Sequence, residues 1–254
     1  MLLKDKIAIV TGGSQGIGKG IAKTYVENGA KVIINARSES KLFEAAKDIA
    51  KDTGVEPMAI PMDVSDKRQV DATVEKVMDE YGRIDILVNN AAIQIFHPFL
   101  EIPEDIWDLH YNINVKGAFL FSQAVGRIMV AQKSGRIINV SSDSGVAPVP
   151  NNAATYCSTK SAMNALTRNV AKELGPYGVY CNAICPGAIA DTGMMENFYK
   201  VSEKTSKDHC EAAALKRMGY PEDIAKVALF LACDMSDFIT GERILVTGGA
   251  LVSQ

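Results

Sequence analysis

A tyrosine and a lysine four residues apart form the pair in this chain most suited to acid–base chemistry. Tyr156 and Lys160 lie in a segment of helical periodicity, residues 154–174, and the spacing places both side chains on one face of a helix. A nearby ammonium favours tyrosinate over tyrosine and lowers a phenol pKa that starts near about 10. The pair therefore predicts a tyrosine that donates and accepts a proton near neutral pH.

Hydroxyl groups upstream of this pair offer a partner for a polar substrate atom. Ser141 and Ser142 directly follow residues 136–140, Arg-Ile-Ile-Asn-Val, which are a strand candidate. If this strand ends beside the glycine-rich turn of residues 11–18, it brings a serine hydroxyl into the same crevice as the Tyr156 phenol.

A glycine-rich turn near the N-terminus predicts a pyrophosphate site. Residues 11–18 read Thr-Gly-Gly-Ser-Gln-Gly-Ile-Gly and stand between the first strand candidate and a helical segment. Glycines let the backbone approach a phosphate, and the following helix presents free N–H groups to it. The spacing of Gly12, Gly16 and Gly18 departs from Gly-x-Gly-x-x-Gly, and a P-loop interpretation fails at Gly20, where Ser or Thr would hold magnesium.

The end of the second strand candidate bears on which dinucleotide binds. An NAD site places an acid here, which binds the ribose hydroxyls and repels a 2′-phosphate. This chain has Ala36 followed by Arg37, and a guanidinium suits a phosphate through its fork of donors. The sequence therefore favours NADP(H) over NAD(H), with a solvated loop residue as the alternative role for Arg37.

The scaffold for these residues is predicted from alternating strand-like and helix-like segments. The strand candidates are residues 7–10, 32–34, 58–60, 84–88, 136–140, 179–184 and 243–246. The main helical segments are residues 17–27, 38–51, 66–81, 104–132 and 154–174. Most strand candidates are apolar on both faces, as parallel strands covered on both sides are. The pattern predicts an α/β fold, a Rossmann-type doubly wound parallel sheet of about seven strands in a three-layer α/β/α arrangement.

The chain shows no linker or internal repeat, so we expect a single dinucleotide-binding domain over residues 1–254. The least regular stretch, residues 190–218, is polar and mixed, and it carries Met194, Met195 and Phe198. It follows the sixth strand candidate at the sheet edge where ligands bind in such folds. We expect it to form a substrate lid, with a plain pair of surface helices as the alternative.

Composition argues against several partner classes. Lys and Arg number 27 against 30 Asp and Glu, a net charge of −3, so no basic excess favours nucleic acid. No apolar run approaches the roughly 20 residues that span a bilayer, and no signal-peptide layout opens the chain, so we expect no membrane association and a cytoplasmic location. Five cysteines without a CxxC pair and three widely spaced histidines predict no metal site.

Taken together, these motifs resemble those of the short-chain dehydrogenases/reductases over essentially the whole chain. The matching residues are Thr11-Gly12-x-x-x-Gly16-x-Gly18, Asp63-Val64, Asn89-Asn90-Ala91-Ala92, Asn114, Ser142, Tyr156-x-x-x-Lys160 and Pro186-Gly187. The resemblance implies hydride transfer between nicotinamide C4 and a carbinol carbon. It also implies a homotetramer in which the long helical segments 104–132 and 154–174 pair across a two-fold axis.

The resemblance assigns roles to individual residues. Tyr156 is implied to be the acid/base and Ser142 to orient the substrate oxygen, while Lys160 binds the nicotinamide ribose and supports Tyr156. Asn114 is implied to hold a water in the proton relay, with Asp63 near the adenine and Asn90 near the ribose. The residues expected to bind the cofactor are Gly12, Ser14, Gln15, Gly16, Ile17, Gly18, Arg37, Asp63, Val64, Asn90, Tyr156, Lys160, Pro186, Gly187 and Ile189.

Three positions depart from the family pattern. The family usually has Gly where Ala92 stands, and its Thr after Pro-Gly is displaced here to Thr192. The gap from Ser142 to Tyr156 is one residue longer than the commonest spacing, which leaves Ser144 or Asp143 as alternatives for the serine role.

The substrate is the least determined part of the prediction. Residues 90–107 look like the corresponding stretch of gluconate 5-dehydrogenases, which act on sugar acids, so Gln94 and His97 are candidate substrate contacts; structural packing is the alternative for His97. Met194 is a further candidate, because the apolar side chains of residues 190–218 would suit a bulky ligand. Residues 156–164 also resemble bacterial hydroxysteroid dehydrogenases, and a 3-oxoacyl carrier-protein reductase is a third candidate. A dinucleotide-binding protein without turnover is the remaining alternative, against which the intact Ser142, Tyr156 and Lys160 argue.

Overall fold

The computed structural model describes residues 1–147 and 152–251. The strands are β1 (Ile7–Thr11), β2 (Lys31–Ala36), β3 (Met58–Pro61), β4 (Ile86–Asn89), β5 (Gly135–Val140), β6 (Val179–Pro186) and β7 (Arg243–Val246). The helices are α1 (Gly16–Glu27), α2 (Glu39–Thr53), α3 (Lys67–Tyr81), α4 (Glu104–His110), α5 (Gly117–Gln132), α6 (Ala154–Leu174), α7 (Gly193–Val201), α8 (Ser206–Ala212) and α9 (Pro221–Ala232).

The strands form one parallel sheet in the order β3-β2-β1-β4-β5-β6-β7. The chain begins in the middle of the sheet, winds outward to β3, and then returns past β1 to build the other half. This is the doubly wound Rossmann-type topology, and it confirms the predicted fold class. The strand order reverses between β1 and β4, and ligands bind at such a switch point, beyond the carboxyl ends of the strands.

Helices cover both faces of the sheet because successive strand residues point to opposite sides. Val10 of β1 packs in a buried cluster with residues of α1, α2 and α9, whereas its neighbour Ile9 packs in a second cluster with residues of α3, α5 and α6. In the first cluster, the buried Tyr25 hydroxyl of α1 donates a hydrogen bond to the Ala228 carbonyl of α9 at 2.9 Å, which joins the two helices. The two clusters explain why most strand candidates are apolar throughout.

A row of polar side chains crosses the sheet near the carboxyl ends of its central strands. Asn89 of β4 pairs in register with Asn139 of β5, and its Nδ2 donates to Asn139 Oδ1 at 2.9 Å and to Ser122 Oγ at 3.0 Å. Thr11 of β1 extends the row, and its Oγ1 accepts the backbone N–H groups of the two residues that follow β4. These bonds fix where the loops after β1 and β4 begin.

The predicted helix over residues 104–132 contains a π-helical turn. Helix α4 continues through Tyr111–Lys116 into α5, and within this turn the Gly117 N–H donates to the Asn112 carbonyl. A π turn inserts one extra residue into a helix and is frequent at functional sites. Here the inserted turn carries Asn114.

Two kinds of feature are not found in the described residues. No helix there combines the length and the apolar character needed to cross a membrane. The same residues contain no group of three or more His, Cys, Asp and Glu side chains in position to bind a metal ion.

Candidate active site

A cavity of about 1130 Å³ lies along the carboxyl edge of the sheet. Each strand contributes a lining residue from the loop that follows it: Gly12, Arg37, Asp63, Asn90, Ser142, Gly187 and Thr247. The cavity is larger than most sites for a single small molecule, which gives room for a dinucleotide and a second ligand.

The glycine turn fits closely against the loop after β4. The Asn90 side chain donates to the carbonyls of Thr11 and Gly12, at 2.9 and 3.1 Å. A Cβ on Gly18 would lie 2.3 Å from the Gly12 carbonyl oxygen and 2.5 Å from Asn90 Nδ2, so only glycine fits there. Helix α1 then begins at Gly16, and no side chain caps its first N–H groups. These groups and the helix dipole suit an anion such as a pyrophosphate.

The end of the cavity beside β2 and β3 is rich in positive charge. Arg37 and Lys41 line it with their side chains exposed, and neither has an ion pair within residues 1–147 and 152–251. Asp63 also lines it, but its Oδ1 accepts hydrogen bonds from the Ser65 N–H at 2.8 Å and hydroxyl at 2.7 Å. With Ala36 in place of an acid, this end can hold a phosphate.

The three predicted chemical side chains come together at the opposite part of the cavity. Tyr156 and Lys160 on α6 are 6% and 2% exposed, and Ser142 after β5 is 8% exposed, yet all three line the cavity. Lys160 Nζ lies 5.5 Å from the centre of the Tyr156 ring and donates to the Val140 carbonyl at 2.7 Å. The end of β5 therefore holds the lysine in place beneath the tyrosine.

Burial shifts both ionisable groups towards their neutral forms. It raises the pKa of the Tyr156 phenol well above its ordinary value, although hydrogen bonding to Ser142 acts in the opposite direction. Burial also lowers the pKa of Lys160 to about 8. The Tyr156–Lys160 spacing predicted a lowered tyrosine pKa, but the ammonium does not outweigh the loss of water around the phenol. In the site as it stands, burial favours the protonated phenol of Tyr156, and its deprotonation needs additional positive charge nearby.

Most predicted site residues line the cavity, and three do not: Gly18, Asn114 and His97. Gly18 packs beneath the glycine turn. Asn114 is fully buried; its Oδ1 accepts the Ile93 N–H at 2.8 Å, and its Nδ2 donates to the Ile93 carbonyl at 2.9 Å and to Thr159 Oγ1 at 3.1 Å. The side chain therefore joins the loop after β4 to α6 from behind the cavity. His97 lies farther along that loop, with its backbone N–H bonded to the loop before α6.

Comparison with known proteins gives this arrangement a family. A family model described as enoyl-(acyl carrier protein) reductase matches residues 12–250. A solved short-chain type dehydrogenase/reductase from Mycobacterium marinum superposes with a TM-score of 0.92 at 35% identity, covering 99% of this chain and 97% of that one. The chain is a short-chain dehydrogenase/reductase.

Relatives of this short-chain dehydrogenase/reductase are named for different substrates. It is 34% identical to an NAD-dependent glycerol dehydrogenase of Listeria innocua, over 97% of this chain and 94% of the relative. It is 37% identical to a 3-oxoacyl-(acyl-carrier-protein) reductase of Thermotoga maritima, over 99% of this chain and 100% of the relative. The structure of an NAD+-bound xylitol dehydrogenase superposes with a TM-score of 0.92 at 31% identity, covering 98% of this chain and 100% of that one. Membership makes the chain an oxidoreductase that acts on alcohol or ketone groups with a nicotinamide dinucleotide.

Where α7 and α8 border the cavity, this short-chain dehydrogenase/reductase has a cluster of aromatic rings that the sequence only partly indicated. The Phe198 ring of α7 lies 5.6 Å from Phe96 in the loop after β4 and 5.4 Å from His209 of α8, both edge to face. The Tyr199 hydroxyl lies 3.1 Å from His209 Nδ1. The histidine that lines the cavity is therefore His209, whereas His97 was the one predicted.

Asp143 is a second functional candidate, which the sequence offered only as an alternative for the serine role. It follows Ser142 and lines the cavity, and its Oδ1 accepts hydrogen bonds from Ser142 Oγ at 3.0 Å and Ser144 Oγ at 3.3 Å. Burial raises the pKa of Asp143, while the two serines and the nearby His209 lower it. The position of Asp143 next to Ser142 in the sequence already indicated that it lies near the site. Whether its carboxyl group reaches the cavity depends on the 3-10 turn Asp143–Gly145, which the sequence did not predict.

Proposed function

We propose that this enzyme is an NADP(H)-dependent oxidoreductase that transfers a hydride between the nicotinamide and a secondary alcohol or ketone, with a polyol or a sugar acid as substrate. The observation that carries the proposal is the convergence of Ser142, Tyr156 and Lys160 on the cavity that the glycine turn also lines. The fit of the Gly12–Gly18 turn and the uncapped α1 N-terminus to a pyrophosphate supports the dinucleotide part.

The proposed mechanism divides the work among these residues. When bound, the nicotinamide supplies or accepts the hydride. The Ser142 hydroxyl holds the substrate oxygen, and Tyr156 donates its proton to that oxygen as a carbonyl becomes a carbinol, or removes it in the reverse direction. Both hydroxyls stabilise the developing oxyanion. The Lys160 ammonium stabilises the tyrosinate that remains and binds the ribose.

Several cavity residues complete the proposed cofactor site. Asp63 and Val64 lie towards the adenine and Asn90 towards the ribose, while the loop after β6 closes the nicotinamide end. The full set is Gly12, Ser14, Gln15, Gly16, Ile17, Gly18, Arg37, Asp63, Val64, Asn90, Tyr156, Lys160, Pro186, Gly187 and Ile189. Asn114 is proposed to act from behind by supporting the relay that returns the proton.

The experiment that tests the proposed function is a turnover panel. Polyols, sugar acids, steroids and acyl thioesters, each as alcohol and as ketone, are offered with NADP(H) and NAD(H) while absorbance at 340 nm is followed. Glycerol and xylitol dehydrogenases among the relatives support the polyol class, whereas the carrier-protein reductase supports an acyl thioester. Steroid turnover favours the hydroxysteroid alternative. Silence across the panel, with cofactor still bound, favours a dinucleotide-binding protein without turnover.

Arg37 supports the NADP(H) preference, because it is an exposed cation with no acid at Ala36 to repel a 2′-phosphate. We expect NADPH to bind about tenfold to a hundredfold more tightly than NADH, since one charge-assisted contact contributes roughly 1.5–3 kcal/mol. Arg37→Ala should weaken NADPH and leave NADH nearly unchanged in fluorescence titrations. The exposed Arg68, outside the cavity, supplies the matched Arg68→Ala control. Equal affinities of the unmodified enzyme for NADPH and NADH contradict the proposed preference. The preference, if measured, distinguishes this enzyme from the relatives that are named for NAD.

We also propose that the chain is one domain over residues 1–254 with a lid at about 190–218, in the cytoplasm. Two contacts support the lid. A Cβ on Gly193 would lie 3.0 Å from Gln15 Nε2 of the glycine turn, and Phe198 packs on Phe96 across the cavity. Met194 and Gln94 also line the cavity and remain proposed substrate contacts. His97 remains only a sequence-based candidate, because its side chain does not line the cavity.

A homotetramer is the proposed assembly, with the helices of residues 104–132 and 154–174 paired across a two-fold axis. Exposed apolar side chains on these helices support it: Phe119 is 44% exposed and Trp107 and Leu109 are each 37% exposed. Ala162 and Ala165 on α6 leave room for close approach. Light scattering at micromolar concentration should give four times the 27.3 kDa chain mass. Phe119→Glu should shift the mass towards smaller species, and a monomer in the unmodified protein refutes the assembly.

A further inference from the structure

The Ser142 hydroxyl has a competitor for its only proton. It donates to Asp143 Oδ1 at 3.0 Å, and the same carboxyl oxygen accepts a weaker bond from Ser144 at 3.3 Å. All three side chains line the cavity. The proposed mechanism, however, needs Ser142 to donate to the oxygen of the substrate.

Binding a substrate therefore forces an exchange of hydrogen bonds. A serine hydroxyl has one donor proton, so when Ser142 turns to the reacting oxygen, Asp143 loses its shorter bond. A partly buried carboxyl oxygen that loses a donor weakens binding unless another donor replaces it. A substrate with a hydroxyl on the carbon next to the reacting one carries that replacement.

We propose that Asp143 is a specificity-determining residue, which accepts a hydrogen bond from a substrate hydroxyl adjacent to the reacting carbon, so that the substrate is a vicinal diol or an α-hydroxy ketone. This inference rests on the proposed function and narrows its substrate class. It selects the polyol over a sugar acid whose carboxylate adjoins the reacting carbon, because a carboxylate brings acceptors and no donor to Asp143.

The other charged side chains that line the cavity fit this assignment. Arg37 and Lys41 belong to the cofactor end, and Lys200 and Lys204 are exposed on the lid segment. His209 is the group that faces Asp143 from the lid; its charged form lowers the pKa of Asp143, but burial lowers the pKa of His209 itself and so favours the neutral imidazole. None of these side chains replaces the bond that Ser142 gives up, because no hydrogen bond to Asp143 from them is present in the described residues.

The test compares three carbonyl compounds of nearly equal size: hydroxyacetone, acetone and pyruvate. They present a hydroxymethyl, a methyl and a carboxylate group next to the same ketone. We expect kcat/KM for hydroxyacetone to exceed that for acetone by about tenfold to a hundredfold, with pyruvate lowest. The same order should appear when 1,2-propanediol and 2-propanol are compared as inhibitors of ketone reduction, which reports binding apart from turnover.

Variants at Asp143 separate this assignment from a merely structural role. Asp143→Ala should bring the ratio of kcat/KM for hydroxyacetone to that for acetone within about threefold, whatever the change in the two absolute values. Asp143→Asn keeps an acceptor oxygen, so it should preserve part of the ratio and raise the relative rate with pyruvate. Glu196→Ala removes another carboxylate that lines the cavity, from exposed α7, and should leave the ratio unchanged.

The outcomes distinguish this inference from the function on which it rests. Equal rates with hydroxyacetone and acetone, a preference for pyruvate, or an unchanged ratio in Asp143→Ala overturn the role of Asp143 and leave the oxidoreductase intact. The same holds if none of the three compounds is reduced by an enzyme that reduces other ketones in the panel. Failure to reduce any carbonyl compound removes the proposed function itself.

Discussion

Tyr156→Phe is expected to abolish turnover while the cofactor still binds. The ring keeps its buried place on α6 beside Lys160, but the transferable proton is lost. General acid–base assistance contributes typically 10²–10⁴-fold, and the loss here should reach the upper part of that range because the hydroxyl also stabilises the oxyanion. The measurements are steady-state kcat, the rate constant of a single turnover, and a fluorescence titration of the cofactor.

A second buried tyrosine supplies the matched control. Tyr25 of α1 is fully buried, donates to the Ala228 carbonyl of α9, and does not line the cavity. Tyr25→Phe should cost about 1 kcal/mol of the free energy of unfolding and leave kcat within twofold. If Tyr156→Phe retains more than about a tenth of kcat, with chemistry limiting the rate, Tyr156 is not the acid/base.

The pH profile gives a further readout of the same residue. Oxidation of an alcohol requires Tyr156 without its proton, so its rate should rise with pH. Because burial raises the pKa of Tyr156, the rise depends on the positive charge of Lys160 and of the oxidised cofactor. The residual rate of Tyr156→Phe should lack this rise.

Gly18→Ala is expected to weaken cofactor binding by at least about a hundredfold. The added methyl would lie 2.3 Å from the Gly12 carbonyl oxygen, and a backbone atom in the turn moves only if the turn itself moves. The Asn90 bonds that shape the turn would then be lost. Overpacking of this kind typically costs about 1–3 kcal/mol of stability, so urea unfolding should be measured beside the titration of NADPH.

Gly175→Ala provides the comparison for this substitution. Gly175 stands at the end of α6 with a φ of −52°, and a Cβ there meets no atom within 4 Å. We expect its stability to change by less than about 0.5 kcal/mol and its cofactor affinity to be unaffected. If the two alanine variants bind NADPH alike, the close fit of the glycine turn is not what holds the dinucleotide.

The scaffold could be predicted from sequence because its signals are local. Each strand candidate is a short apolar run that ends at turn residues, and the structure places a strand at all seven positions. The difference at β4 is instructive: it begins at Ile86 rather than residue 84, because the Asp85 carboxylate accepts the Ile7 N–H at 2.9 Å just before the ladder starts. The π turn at Tyr111–Lys116 escaped prediction because it shifts the hydrogen bonds by one residue and leaves the apolar pattern almost unchanged.

The parts of the site that sequence could not provide depend on contacts between distant segments. His209 and Asp143 are 66 positions apart, and only the placement of α8 over the cavity brings them together. The direction of the Tyr156 pKa depends on burial, which no i, i+4 spacing reveals. His97 was predicted from its neighbourhood in the chain, but it does not line the cavity.

Transfer of a labelled hydride tests the central claim most directly. The enzyme is incubated with NADPH carrying two deuterium atoms at nicotinamide C4 and the ketone it reduces fastest, and the alcohol is examined by mass spectrometry and NMR. We expect one deuterium on the carbinol carbon, and none there when unlabelled NADPH is used in D₂O. An alcohol without deuterium at that carbon, or label taken from the solvent, contradicts hydride transfer between the nicotinamide and the substrate.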